Sequence, residues 1–301
     1  MKKSNNQLSG HLGKKPFGLI ARPDSREAIL CAKKISQWLE KKKLPVVYAQ
    51  ITAHLLGRSD GLPLDRFSEL ADPIVTLGGD GTLLSTARYI NRAGPLLIGV
   101  NFGQLGFLTE ITPLEIFDVL ADLLRGKGSV RERAMISARI VRQNRTAFFS
   151  QAANDIVIQK RVEDRLLELD VYINNDNLMR LRADGLIIAT PSGSTAYSLA
   201  AGGSIIEPSQ NVQIITAICP HSLTNRPVVV GLNDEITVKI PKFSGVVSVT
   251  ADGQHSDQIE SHDQIIIKKS SNKLKLLASP SRSYFEILRT KLNWAAPNRN
   301  V

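Results

Sequence analysis

Pro73-Ile74-Val75-Thr76-Leu77-Gly78-Gly79-Asp80-Gly81-Thr82 passes from an uncharged, largely β-branched run through a glycine turn into the opening of a helix. The run predicts a buried strand over 73–77 and a helix from about Thr82 to Arg92. Consecutive glycines let a ligand approach the backbone closely, and a helix start offers unpaired N–H groups to a phosphate. A carboxylate in that turn repels phosphate, so Asp80 suits a hydroxyl or a metal ion better. A tight turn with a helix cap accounts for the same residues.

Working outward, Phe17–Ala21, Leu44–Ala49 and Leu96–Asn101 read as further strands. Pro23-Asp24 opens a helix to about Lys42, with Ile29, Ile35, Trp38 and Leu39 at helical spacing. Thr112-Pro113-Leu114-Glu115 has the form of a capping box with proline at the first helical position, and Gly126 marks the exit. Strands alternating with helices predict a mostly parallel sheet flanked by helices, an α/β domain over residues 16–128. Residues 1–15 read as a flexible, polar tail without the apolar run of an export signal.

After Gly128 the pattern changes. Ile136–Val141, Asp155–Gln159, Leu167–Ile173, Leu186–Ala189, Ile214–Ile218, Val228–Val230, Ile236–Ile240, Val246–Thr250, Ile265–Lys268 and Leu274–Leu277 read as closely spaced strands. Asn174-Asn175, Asp184-Gly185 and Asp252-Gly253 have ordinary turn chemistry. One helical candidate, Thr195–Gly202, interrupts them. A β-rich domain over 129–278 follows. The segment 279–301, with a helical stretch at Tyr284–Trp294, either ends this domain or returns to the first; the pattern does not decide.

The 301 residues carry 38 Lys+Arg against 28 Asp+Glu, a net charge of +10 that suits anionic partners such as nucleotides without identifying one. Two cysteines, Cys31 and Cys219, are too few for a disulfide framework or a Cys-rich zinc site, so a reducing cytoplasm is expected. The uncharged window Leu186–Ile206 is broken by Thr190-Pro191-Ser192-Gly193-Ser194-Thr195 and is too polar to span a membrane. No Walker-type G-x-x-x-x-G-K-[ST] occurs, and no G-x-G-x-x-G follows the first strand. Ala196 breaks the G-x-S-x-G hydrolase pattern, and the five histidines lack metal-ligand spacing, so no protein metal site is expected.

The second informative stretch is Ala183-Asp184-Gly185-Leu186-Ile187-Ile188-Ala189-Thr190-Pro191-Ser192-Gly193-Ser194-Thr195-Ala196-Tyr197-Ser198. A buried strand runs into a hydroxyl-rich loop and a small-residue helix continuing to Gly203. Such hydroxyls and N–H groups can hold a ribose or phosphate, and Tyr197 can stack on a base. A closely packed helix needing small residues is the plainer alternative, and the density of polar groups beside an apolar strand weighs against it.

With Gly78-Gly79-Asp80-Gly81-Thr82, Asn154-Asp155, Ala189–Gly203, Pro220-His221-Ser222-Leu223 with Arg226-Pro227, and Asp252-Gly253-Gln254 in this order, the chain resembles the bacterial NAD kinases, of the proteobacterial type, from about Phe17 to Phe285. The glycine-aspartate turn is shared with diacylglycerol kinases and 6-phosphofructokinases; the block Thr190–Ser198 is far more specific. The resemblance implies an α/β domain joined to a β-rich domain with the chain end returning to the first. It implies ATP-dependent phosphorylation of the 2′-hydroxyl of the adenosine ribose of NAD, with a divalent ion, Mg²⁺, carried in on ATP. Homodimers or homotetramers whose substrate site draws on two subunits are implied as well.

Residue by residue, the resemblance makes Asp80 the general base, with Gly81 beside it against the dinucleotide and Gly78, Gly79 and Thr82 forming the phosphate loop. Asn154 and Asp155 become the pair that hydrogen-bonds the substrate. Arg165, Arg182, Asp184, Thr195, Ala196, Tyr197, Ser198, Leu199, Ala200 and Gln254 fall at further dinucleotide-contact positions. Arg182 resembles members that favour NAD over NADH. Ser192, Ala200, Ser204 and Cys219 depart from the commoner threonine, serine, proline and aromatic residue.

Two other functions are weighed against this one. A lipid kinase would use the turn at 77–82 but leave Ala189–Gly203 idle, and no membrane-facing amphipathic helix stands out. A nucleic-acid-binding protein would use the positive charge, but the basic residues are scattered and aromatics are only 5%. Neither nucleic acid nor membrane is therefore an expected partner.

Overall fold

Phe17–Ala21 (β1) is buried at all five positions, as a central strand of a parallel sheet requires. The computed structural model describes Leu8 and residues 15–91, 94–161, 165–243 and 245–294. Apart from Leu8 and Lys15, the tail read at 1–15 lies outside the described residues, as do Arg92 and the last residues of 279–301. The chain divides into two units, Met1–Glu132 with Leu274–Val301, and Arg133–Lys273.

In the first unit, α1 (Arg26–Lys41) buries Ala28, Cys31, Ala32, Ile35 and Leu39 along one stripe. It starts later than Pro23-Asp24 because the Asp24 carboxylate is taken by Arg22 at 2.6 Å, while the Ser25 hydroxyl accepts from the Ala28 N–H. Such a cap is worth about 1 kcal/mol. Then come β2 (Val46–Tyr48), α2 (Gln50–Leu55), α3 (Leu64–Leu70), β3 (Ile74–Gly78), α4 (Asp80–Ala87), β4 (Leu96–Asn101) and α5 (Ile116–Leu124). Helices α2 and α3 are too short to show a period, and the sequence reading did not contain them. At Thr112 the Glu115 carboxylate accepts from both the N–H and the hydroxyl, so the threonine donates where a full capping box would have it accept, and α5 begins only at Ile116.

The strands run in the order β2-β1-β3-β4, all parallel. The order reverses at β1 and β3, and at such a switch point ligands lie beyond the C-terminal strand ends. Those ends are Ala21, Gly78 and Asn101.

Strand β5 (Val130–Arg142) leads into the second unit, which holds β6 (Arg145–Ala152), β7 (Asp155–Lys160), β8 (Leu167–Ile173), β9 (Asp176–Ala183) and β10 (Gly185–Ala189). A 3-10 turn at Gly193–Thr195 and α6 (Tyr197–Ala200) replace the single helix read over 195–202, since Ala196 leaves helical geometry at φ −97°, ψ −132°. Next are β11 (Val212–Ile218), β12 (Val228–Gly231), β13 (Ile236–Lys239), β14 (Val247–Ala251) and β15 (His255–Gln258). One sheet is antiparallel in the order β12-β11-β10-β7-β14-β15. In this unit β16 (Gln264–Leu277) pairs antiparallel with β13, which pairs with β8, which pairs with β9. Ile158, Leu169, Ile188, Ile215, Val238, Val249 and Ile267 meet in its core.

Strand β16 is continuous where two separate strands were expected. Its polar middle is held by hydrogen bonds, with Ser270 and Asn272 both donating to the Gln151 side chain at 3.1 and 2.9 Å. Asn174 and Asn175 carry positive φ of 50° and 75°, the two-residue hairpin geometry their sequence suggests. Asp184-Gly185, by contrast, is a bend joining β9 to β10 in another sheet and not a hairpin turn.

The last residues of β16 pair parallel with β4, within the first unit. Arg282 donates to Glu115 at 3.0 Å, and a capping box of Ser283 and Glu286 opens α7 (Tyr284–Lys291). No described helix is long and apolar enough to cross a membrane.

Candidate functional site

Asp80 begins α4 directly beyond β3, yet its carboxylate does not cap its own helix. It turns to the loop after β4. Its Oδ1 accepts from the Thr109 hydroxyl at 2.7 Å, the Thr109 N–H at 2.9 Å and the Leu108 N–H at 3.2 Å. Among the described residues its Oδ2 accepts from the Phe107 N–H, at 2.9 Å. A carboxylate offers about four acceptor positions, two on each oxygen, so Oδ1 is filled and Oδ2 keeps room for another donor.

The loop is itself fixed. Asn101 donates to the Thr109 hydroxyl oxygen at 3.0 Å and accepts from the Gly103 N–H at 2.8 Å. A Cβ at Gly106 would lie 2.0 Å from Asp80 Oδ1, so glycine there is what lets the loop close on the carboxylate. Sequence reasoning missed this loop. The available signal was Asn101-Phe102-Gly103-Gln104-Leu105-Gly106, two glycines three apart directly after a buried strand.

The glycines of the turn divide by cause. A Cβ on Gly78 would meet Thr82 Oγ1 at 2.2 Å, a packing requirement. Cβ atoms on Gly79 or Gly81 would meet no protein atom within 4 Å. Neither has the positive φ that favours glycine.

In the second unit three segments converge on the start of β7. Asp252 accepts from the N–H groups of Ala153 (2.9 Å), Asn154 (2.7 Å) and Asp155 (3.1 Å). The Thr190 N–H donates to the Asn154 carbonyl at 2.8 Å and its hydroxyl to the Ala153 carbonyl at 2.5 Å. The Gly193 N–H donates to Thr190 Oγ1 at 3.1 Å. Asn154, Asp155, the Thr190–Thr195 turn and the Asp252-Gly253-Gln254 turn are thus one hydrogen-bonded corner.

The remaining positions separate by exposure. Tyr197, Ala200 and Gln254 are exposed, and Thr195, Ala196 and Leu199 half-buried. Ser198 is fully buried with its hydroxyl 3.0 Å from that of Thr216, so its side chain serves packing and cannot reach a substrate without leaving that partner. Arg182 is exposed on β9, its Nε 3.8 Å from Glu168. Asp184 pairs with Lys160 at 3.2 Å. Arg165 is exposed.

Asp155 is 5% exposed. Burial first, and the neighbouring Asp252 charge second, push its carboxyl up to about 7. Near neutrality it therefore donates as well as accepts. A folded-state value above the unfolded one favours the native state fully below about pH 4, and this support is lost as pH rises through about 7. Asp155→Asn removes the penalty. Its melting temperature is expected to exceed that of the native protein by roughly 5 °C at pH 8, with a smaller gap at pH 5. Equal gaps at the two pH values in thermal unfolding would contradict the assignment.

Among the described residues no group of three His, Cys, Asp or Glu side chains could hold a metal ion.

Residues 17–128 match the family model for the ATP-NAD kinase N-terminal domain, and residues 153–279 that for the ATP-NAD kinase C-terminal domain. A NAD kinase of Geobacter sulfurreducens is 42% identical over 264 residues, covering 87% of this chain and 93% of the relative. One of Solibacter usitatus is 40% identical over 93% of this chain and 98% of its own length. Among solved structures, yeast NADH kinase complexed with NADH superposes with a TM-score of 0.87 at 25% identity, over 95% of this chain and 90% of that one.

Proposed function

The chain belongs to the NAD kinase family, and from that membership we propose that its phosphoryl acceptor is the 2′-hydroxyl of the adenosine ribose of NAD, with Asp80 as general base. The enzyme phosphorylates NAD at the expense of ATP. The observation that carries the finer reading is the Asp80 carboxylate, anchored through Oδ1 and open at Oδ2, beside two glycines that packing does not require.

Phosphoryl transfer is mostly positioning and charge stabilisation. A side chain with two free torsions positions poorly; one held by four hydrogen bonds positions well. Oδ2 orients the sugar hydroxyl and takes its proton late, as the new O–P bond forms and the bond between β- and γ-phosphate breaks. ADP leaves, and the proton passes from Asp80 to solvent. Mg²⁺ enters as part of the ATP substrate, held by phosphates and water, and neutralises the triphosphate.

Roles on the second unit follow the same reading. Asn154 presents donor and acceptor to a base edge, Asp155 receives ribose hydroxyls, and Tyr197 and Gln254 offer exposed contact surface. Arg165, Arg182, Asp184 and residues 195–200 are proposed as further dinucleotide contacts, within a β-rich domain assigned to 129–278. The α/β domain is assigned to 16–128, with 279–301 returning to it. We infer a cytoplasmic homodimer or homotetramer whose substrate site draws on two subunits.

Incubation with NAD and Mg-ATP, with the product read by phosphorus NMR, is expected to give a 2′-phosphate; a 3′-phosphate or none would overturn the reading. Thr109→Val removes one of three donors to Oδ1. It is expected to lower kcat about tenfold with the KM for NAD unchanged, and Thr109→Ser to restore it. A changed KM with native kcat would contradict a positioning role.

A further inference from the structure

Thr109, which donates twice to Asp80 Oδ1, is followed directly by Glu110, a carboxylate residue only 6% exposed. Each of its oxygens has a partner. Oε1 accepts from Arg131 Nη1 at 2.5 Å, and Oε2 from the Ser279 N–H at 3.0 Å. The Glu110 carbonyl accepts from Arg282 Nη1 at 2.9 Å, and the same nitrogen donates to Glu115 Oε2 at 3.0 Å. Arg131 Nη2 donates in turn to the Arg282 carbonyl at 3.2 Å. Glu110, Glu115, Arg131, Ser279 and Arg282 all belong to the first unit.

We propose that Glu110 and Arg282 are positioning residues for the reaction: with Arg131 they lock the loop at 107–109 against the returning chain end, and so keep Asp80 Oδ2 on its line to the acceptor hydroxyl. The inference rests on the reading of Asp80 as base and deepens it by naming what aims the carboxylate.

The energetics point to placement and not to stability. Withdrawing a carboxylate and a guanidinium from water carries a desolvation cost that their attraction only about offsets. Apolar side chains of the same volume would hold the fold as well. What apolar contacts lack is direction. Hydrogen bonds to both carboxylate oxygens and to the carbonyl fix Glu110 from three sides. Thr109 is one peptide away, so a shift of Glu110 reaches Asp80 Oδ1 through the Thr109 N–H and hydroxyl. A carboxylate is planar, and moving Oδ1 moves Oδ2 with it.

The same chain end also meets the loop at its start. Helix α7 brings the Tyr284 ring to 6.4 Å from that of Phe107, centre to centre, and Lys291 Nζ to 5.6 Å from the Phe107 ring centre. The Phe107 N–H is the donor to Oδ2. One returning segment thus holds both ends of the loop, with Arg282 at Glu110 and α7 at Phe107.

The test uses the full chain, with steady-state kinetics on NAD and Mg-ATP beside thermal unfolding. Arg282→Met is expected to lower kcat between about tenfold and a hundredfold, with both KM values near native. Arg282→Lys is expected to restore most of the rate, because the bonds to the Glu110 carbonyl and to Glu115 leave a single nitrogen that an ammonium can replace. Replacing the buried pair together, Glu110→Met with Arg131→Met, is expected to leave the melting temperature at or above its native value and still lower kcat about tenfold. Should Arg282→Met not fold, this paired replacement decides.

The last arm places Arg282→Met in Asp80→Asn, where the residual rate is expected to change less than about twofold, since the network acts through the carboxylate. Native kcat in the folded paired replacement overturns the inference. So does a rise in KM without a fall in kcat, or a loss of rate that comes only with a lowered melting temperature. A full further loss in the Asp80→Asn background overturns it as well, and leaves Asp80 as base. Native turnover in Asp80→Asn alone is the failure of the functional reading, and the inference falls with it.

Discussion

Asp80→Asn is expected to lower kcat by about 10²–10⁴ while the KM for NAD and the affinity for ATP stay near their native values. The amide keeps one carbonyl oxygen for the donors of Leu108 and Thr109, which all meet Oδ1. What it loses is the second acceptor, the oxygen that faces Phe107 and keeps room for a substrate hydroxyl. One backbone bond lost in a half-buried place costs about 1 kcal/mol, so the variant should fold with a slightly lowered melting point. Rate and stability then separate: a fall of several decades in turnover beside a small change in unfolding. Turnover at native speed would remove Asp80 from the chemistry. A fall matched by collapse of the fold would make the carboxylate a loop anchor only.

Gly193→Ala should produce the largest structural effect of any single methyl group in the second unit's corner. A Cβ there would lie 2.1 Å from the Asn154 carbonyl oxygen, 2.4 Å from its carbon and 2.7 Å from its Cα, all backbone. No rotamer relieves such a clash. Asn154 is tied by Thr190 on one side and Asp252 on the other, so displacement passes to Asp155 as well. Overpacking of this kind costs about 3 kcal/mol, or roughly 6–12 °C in melting temperature for a unit of this size. The KM for NAD is expected to rise at least about tenfold, with the affinity for ATP unchanged, since the glycine turn read as the phosphate loop lies in the first unit. A native KM for NAD in the folded variant would mean that the corner does not bind the dinucleotide.

The parts legible in the sequence were those whose burial is one-sided or complete. Strands β1, β3, β4 and β10 are continuous apolar runs, and each stands within a residue of its expected place. Three strands went unread, β6, β9 and β15, and each pairs with a single neighbour. An edge strand carries polar residues on its open side, so Asp176-Asn177-Leu178-Met179-Arg180-Leu181-Arg182 and His255-Ser256-Asp257-Gln258 lose the alternation that marks a strand.

Asp80, Asn154, Asp155 and Asp252 were visible because they stand beside glycines or asparagines in short turns. Their partners were not. Nothing local in the sequence pairs Asp80 with Thr109, twenty-nine residues on, or Asp252 with Asn154, ninety-eight residues back. Helices α2 and α3 escaped for another reason: at six and seven residues they are too short to display a 3.6-residue period. They nonetheless contribute Gln50, Ile51, Leu64 and Asp65 to a cavity of about 710 Å³ that Gly79 and Gly81 also line.

A crystal structure of the protein with both NAD and β,γ-methylene-ATP tests the central claim most directly. The account predicts the 2′-oxygen of the adenosine ribose at about 2.6–3.2 Å from Asp80 Oδ2, in line with the terminal phosphorus, while Oδ1 keeps its bonds to Leu108 and Thr109. A 2′-oxygen more than about 5 Å from the carboxylate, with another side chain in hydrogen-bond reach of it, would contradict the account.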